Sequence, residues 1–171
     1  MSEVEIVAVD LNDAAHGRAL VQLLDHLSRD ETDGAQPLSE SAKQALIPGL
    51  LAQAHYLGLL AFDRSSRGEG EVAVGLANAF FGFSTFAARP LLNLHDLVVH
   101  ASARRRGIGR QLIARLEEIA RARGCCKLTL EVLSENRAAR SVYEALGFAG
   151  YALHPALGVA LFLEKKLPIV G

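Results

Sequence analysis

The stretch Asn93–Gly109, NLHDLVVHASARRRGIG, constrains the fold of this chain more than any other. An apolar run, Leu94 to Val99, enters a short polar loop. It then meets Arg104-Arg105-Arg106-Gly107-Ile108-Gly109, which opens an amphipathic segment lasting to Arg123. The pattern predicts a strand, a glycine-bearing turn and a helix. A helix N-terminus leaves backbone N–H groups unpaired, and its dipole adds partial positive charge. Gly107 and Gly109 carry no side chains, so the backbone can come close to a pyrophosphate. The unit is a device for holding phosphate, with three arginines adding charge. An ordinary strand–turn–helix with a basic cap would read the same way.

The rest of the chain supplies support for this unit. With 171 residues it is long enough for one sizeable core and short for two, so a single domain over 1–171 is expected. Val4 to Val9 alternates as a first strand. Asp13 can cap a helix over Ala14 to Arg29, with Leu20, Leu23, Leu24 and Leu27 on one face. Asp30 to Pro37 is a polar loop, and Ser39 caps a second helix that Pro48 and Gly49 complicate without ending. Tyr56 to Phe62 and Val72 to Phe83 read as an antiparallel hairpin around an exposed loop. Past the central helix, whose Ile108, Leu112, Leu116 and Ile119 form a buried stripe, Lys127 to Val132 alternates as a strand. Arg137 to Leu146 is a helix stopped by Gly147. Phe148 to Leu153 and Val159 to Leu167 are expected as two closing strands around a Pro155–Gly158 turn. The order gives an α/β fold: a mixed, mostly antiparallel sheet with helices on both faces.

Charge and cysteine usage exclude several classes. The net charge of -1 gives no global attraction to nucleic acid or an acidic membrane, and no aromatic interleaving accompanies the arginines. Cys125 and Cys126 are adjacent, which suits neither a structural disulfide nor a metal site, so no metal is expected. No run resembles a signal peptide or a membrane span, and a cytoplasmic protein is expected.

From Leu91 to Lys166 the chain resembles the GNAT N-acetyltransferase superfamily. Four features carry the likeness: the Leu97-Val98-Val99 strand end; Arg104-x-x-Gly107-x-Gly109; Leu130-Glu131-Val132 followed by Asn136-Arg137-Ala138-Ala139; and Tyr143-Glu144-Ala145-Leu146-Gly147-Phe148. The resemblance implies acetyl-CoA as co-substrate, seated where the sheet splits. Leu97, Val98 and Val99 would offer backbone to the acetyl-pantetheine arm. Backbone N–H groups from Arg105 through Arg106, Gly107, Ile108 and Gly109 to Arg110, with Arg104 at the head of the motif, would cradle the pyrophosphate. Asn136 would bond the pantetheine region from the other side.

Acetyl transfer to an amine requires loss of the amine proton, stabilisation of the thioester oxygen and an acid for the departing thiolate. The resemblance implies that Tyr143, seven residues and about two helical turns past Asn136, is that acid. Two candidates for the base stay open. Glu131 sits in a Leu-Glu-Val strand as in members that acetylate protein amino termini. His95 lies on the central strand, where Asn93, His95 and Leu97 are expected on one face and Asp96 on the other as a structural acceptor.

The resemblance builds the acceptor pocket from the first two helices, their loop and the late strands. Here that means Asp25 to Gln36 and Phe80 to Phe86, with Tyr151 and His154 near the exit. The acceptor is then a small-molecule amine, polyamine- or aminoglycoside-like, or a peptide amino terminus. Late strands in this family often pair between copies, which would make a homodimer. The competing class is a catalytically inactive acyl-CoA-binding or sensing module.

Overall fold

A computed structural model describes residues 4–29, 37–65, 72–151, 156, 158 and 160–167. By its contacts the chain divides into two compact units, residues 1–136 and 137–171. The first carries β1 (Val4–Ala8), α1 (Ala14–Ser28), α2 (Glu40–Leu51), β2 (Tyr56–Asp63), β3 (Val72–Ser84) and β4 (Arg89–Val99). After a 3₁₀ turn, Ala101–Ala103, come α3 (Ile108–Ala122) and β5 (Leu128–Leu130). The second unit holds α4 (Arg137–Ala145).

The five strands form one sheet in the order β1-β2-β3-β4-β5, antiparallel except for the parallel pair β4–β5. Alternation then assigns the helices to faces. Leu60, Leu76 and Val98 are directly opposite one another across β2, β3 and β4, and they join Leu20 and Leu23 of α1 and Leu50 of α2 in one buried cluster. Their neighbours Ala61 and Gly75 look the other way and receive α3. A Cβ on Gly75 would stand 3.0 Å from Ile108 Cγ2 and 3.2 Å from Leu112 Cδ1. Glycine at this position lets α3 lie against the sheet.

Local chemistry sets the element ends as expected. Asp13 accepts from the Ala15 amide at 2.7 Å and Ser39 from the Ala42 amide at 3.1 Å, so α1 and α2 are capped by side chains. Pro48 stands inside α2 without ending it. Gly124 and Gly147, with φ of 69° and 88°, follow α3 and α4. There the amides of Cys125 and Phe148 reach back to the carbonyls of Ala120 and Tyr143 at 2.9 and 3.0 Å, closing Schellman-type ends.

Two expectations fail. The strand expected over Lys127 to Val132 shrinks to Leu128–Leu130, because its pairing with β4 covers only three residues. The two closing strands are also absent from the described residues. Only one backbone bond, from the Ala160 amide to the Tyr151 carbonyl at 3.0 Å, joins those segments. Leu161, Phe162 and Leu163 are all well exposed, and residues 152–155, 157 and 159, which the two strands and their turn were expected to include, lie outside the described residues.

Candidate functional site

The site begins where β4 outlasts β5. The register pairs Leu92 with Leu128, Asn93 with Thr129 and Leu94 with Leu130, then stops, while β4 runs on to Val99. The side chain of Asn93 ties this last junction, its amide donating to Thr129 Oγ1 at 3.0 Å. Beyond it β4 keeps β3 on one side and, among the described residues, has no strand on the other. The His100 amide donates to the Val74 carbonyl of β3 at 2.9 Å. Alternation therefore turns the backbone of Val98 toward β3 and that of Leu97 and Val99 toward the open side. The side chains of Leu97 and Val99 meanwhile reach the head of α3, 3.8 and 3.7 Å from where a Gly109 Cβ would be.

The loop that follows leads into the head of α3, where first-turn amides have no intrahelical partner. Arg105 adopts φ of 63° and Gly107 φ of 78°, two left-handed residues within three. Gly107 is the N-cap of α3 and provides no side chain to cap it. No acidic residue occupies the first turn, where Arg110 stands instead. An uncapped N-terminus with positive charge in its first turn is unfavourable until an external anion completes it. A Cβ on Gly107 would meet nothing within 4 Å, so the cradle is open. A diphosphate fits these donors.

The arginines divide between contacts within the fold and exposure to solvent. Arg106 forms an ion pair with Asp63 at the end of β2, at 2.5 Å. That contact, with bonds from Ser65, holds the Asp63 carboxyl well below its ordinary value. Arg104 Nε donates to the Val99 carbonyl at 3.3 Å. Both side chains tie the loop back to the sheet. The Arg105 and Arg110 side chains are exposed, with no partner among the described residues. Asp63 was not singled out in the sequence. Its signal was a carboxylate at the end of an apolar strand.

The expected alternation along β4 breaks in the middle. Asn78 pairs with Asp96 and Ala79 with Leu94, so His95 is an extra residue, a β-bulge. Asn93, His95 and Leu97 therefore do not share a face, and Asp96 is not opposite to His95. The His95 ring meets Phe80 edge-on at 5.7 Å. Asp96 accepts from Asn78 Nδ2 at 3.0 Å, and Asn78 and Phe80 lie two residues apart on β3. His95 and Asp96 thus project together on the side of α1 and α2, while Leu97 goes to α3. His95 is exposed and, like Glu131 just past the end of β5, makes no hydrogen bond among the described residues.

The remaining candidates fall elsewhere. The Asn136 amide donates to the Leu133 carbonyl at 3.0 Å. Tyr143 stands in the second unit on α4, half-buried, its ring edge-on to Phe148 at 5.9 Å. The aromatics of the Phe80 to Phe86 region have different surroundings. Phe80 faces Tyr56 and His95, Phe81 packs under the Arg123 guanidinium at 4.6 Å, and Phe83 and Phe86 are exposed. Asp25 is engaged by Arg29 and Lys43, which lower its carboxyl from the ordinary value. The tract Asp30–Asp33 and His154 lie outside the described residues. A cavity of about 660 Å³ runs along α1 past Arg18, His26, Phe62 and His100. Arg18, Asp25 and Arg29 are its charged lining residues, and Ala19, Leu23, Phe62 and Val74 supply apolar wall. Among the described residues no three His, Cys, Asp or Glu side chains cluster as metal ligands. Cys125 and Cys126 are free thiols, and burial raises that of Cys125. No helix among the described residues is long and apolar enough to cross a membrane.

A family model described as the acetyltransferase (GNAT) family matches residues 20–148. The chain is 36% identical over 112 residues to a thialysine N-epsilon-acetyltransferase of Bos taurus, covering 64% of each. It is 37% identical over 89 residues to a streptothricin acetyltransferase of Streptomyces lavendulae, covering 50% of this chain and 47% of that protein. The matches thus span less than two thirds of the length of these curated relatives. Among solved structures, AAC(6')-Iy in complex with a CoA-containing bisubstrate analogue superposes with a TM-score of 0.70. The two chains are 22% identical, and the match covers 97% of this chain and 100% of that one.

Proposed function

The chain belongs to the GNAT acetyltransferase family, and on that basis we propose that it transfers an acetyl group from acetyl-CoA to the primary amine of a small molecule. The observation that carries this most directly is the uncapped head of α3 facing the open side of β4. The amides around Arg105 to Arg110 would hold the pyrophosphate, and Leu97 and Val99 would present backbone to the pantetheine arm. Acetyl-CoA supplies the acetyl group as a thioester, ready for attack by a neutral amine.

This chain's own residues would manage the protons. At the bulge, the Asp96 carboxylate would draw an ammonium group and the His95 imidazole would accept its proton, with Glu131 as the alternative base acting through water. The amine nitrogen then forms the new C–N bond as the C–S bond breaks. Tyr143 would give the sulfur its proton and recover one from the nitrogen, which sheds its second proton as the amide forms. No cysteine nucleophile is required. The small-amine acceptor is favoured over a peptide terminus because curated relatives such as those for thialysine and streptothricin are named for small amines. We take the whole chain as one catalytic domain, since the family match runs across the boundary between the two units. We read the protein as cytoplasmic, where the thiols of Cys125 and Cys126 would stay reduced.

Release of free thiol from acetyl-CoA, followed with thialysine, 1,4-diaminobutane and neamine, tests the proposal. Turnover of at least one amine is expected, and Tyr143→Phe should cut it by about tenfold or more while leaving acetyl-CoA affinity intact. Cofactor binding without turnover of any amine would point instead to an acyl-CoA-binding module.

A further inference from the structure

Behind the bulge lies a chain of polar groups that neither the cofactor loop nor the proton steps account for. The Tyr56 hydroxyl donates to Asn78 Oδ1 at 2.9 Å, and Asn78 Nδ2 donates to Asp96 Oδ2 at 3.0 Å. Asn78 is only 2% exposed, in the middle of the apolar strand β3. The ring of Tyr56 reaches it by lying over Gly58. A Cβ there would strike the tyrosine hydroxyl and stand 2.6 Å from Val9 Cγ2. Glycine at 58 is what leaves room for the phenol.

The polarity of the chain is fixed. An amide oxygen can only accept, so Tyr56 must donate to it, and burial together with the Asp96 charge raises the phenol well above its ordinary value. With its oxygen held by Tyr56, the Asn78 side chain can turn only its N–H toward Asp96. Stability alone does not call for this arrangement. Replacing such a buried pair by apolar groups of similar shape is often nearly neutral. The chain also ends at a partly exposed carboxylate whose other oxygen, Oδ1, makes no hydrogen bond among the described residues. That carboxylate is in register with Asn78 because the extra residue, His95, shifts β4 by one.

Resting on the acetyltransferase reading, we propose that Tyr56 and Asn78 are positioning residues that hold the Asp96 carboxylate beside His95 as the docking group for the acceptor's ammonium. The bulge places the two side chains on one face, and the buried amide fixes which carboxylate oxygen stays free. The site thus selects amines that arrive as cations.

The test is a double-mutant cycle on amine kinetics, using whichever of thialysine, 1,4-diaminobutane and neamine the native enzyme turns over best. Asp96→Asn should raise the KM for the amine by about tenfold or more, with the KM for acetyl-CoA unchanged. Tyr56→Phe, which removes one oxygen atom, should raise the amine KM by about threefold in the native background and not at all in Asp96→Asn. Thermal midpoints of all variants are read alongside. Equal effects of Tyr56→Phe in both backgrounds, or a matching rise in the KM for acetyl-CoA, would reduce Tyr56 and Asn78 to packing and overturn the inference alone. A native protein that acetylates none of the three amines would overturn it together with the reading beneath it.

Discussion

At the scale of single residues, two positions separate what the fold needs from what the ligand needs. Gly107 and Gly124 both adopt left-handed backbone, with φ of 78° and 69°, and a Cβ at either would meet nothing within 4 Å. Alanine at either site should therefore cost only backbone strain, about 1–2 kcal/mol. Acetyl-CoA affinity should fall only for Gly107→Ala, because Gly124 closes the far end of α3. Calorimetric titration of the two variants at matched stability checks this. A second residue-scale prediction concerns acid. The Arg106 guanidinium, then Ser65, hold the Asp63 carboxyl below its ordinary 3.8. A folded-state value below the unfolded one stabilises fully above the unfolded value and is lost as pH falls through the folded one. Native protein should lose melting temperature on acidification below about pH 4 more steeply than Asp63→Asn. That variant should melt about 2–4 °C lower at neutral pH. Identical acid limbs would show that the pair contributes nothing.

At the scale of elements, the seat of α3 is the sensitive joint. Its head holds the anion cradle, and its Ile108 and Leu112 rest on Gly75 of β3. Gly75→Val would overpack this contact, costing about 1–3 kcal/mol, and would lift the helix head from Leu97 and Val99. Thermal unfolding and acetyl-CoA titration should both show loss, although residue 75 touches no ligand. Unchanged affinity in a destabilised variant would mean that the cradle is independent of this packing.

The elements also show what a sequence can disclose. α1 and α3 were legible because apolar residues recur at helical spacing, and α1 and α2 because Asp13 and Ser39 are recognisable caps. The strand–turn–helix at Asn93 to Arg123 was legible because Gly107 and Gly109 mark its turn chemically. The bulge was not. Counting every second residue through Asn93-Leu94-His95-Asp96-Leu97 assumes an unbroken strand, and one inserted residue reverses every assignment beyond it. The Tyr56–Asn78–Asp96 chain was hidden for a different reason: its members are 22 and 18 residues apart. The only trace was Asn78 itself, a lone polar residue in an apolar strand.

At the scale of the whole molecule, the sheet carries the account. Five strands are continuous on one side, while β4 loses its neighbour after Leu94, and the cofactor loop and the bulge lie on that open stretch. α1 and α2 cover one face and α3 the other, so the cradle at the head of α3 and the carboxylate at the bulge approach β4 from opposite faces. A thioester lying along β4 would meet both.

The most direct test of that geometry is thermal unfolding of the native protein with and without acetyl-CoA, with ATP and NAD as controls. Ligand at about one hundred times its dissociation constant adds roughly 2.7 kcal/mol, a rise of several degrees for a chain of this length. A rise with acetyl-CoA and none with ATP or NAD is the predicted result. No rise with acetyl-CoA, or an equal rise with all three, would reduce the head of α3 to a basic helix cap and contradict the account.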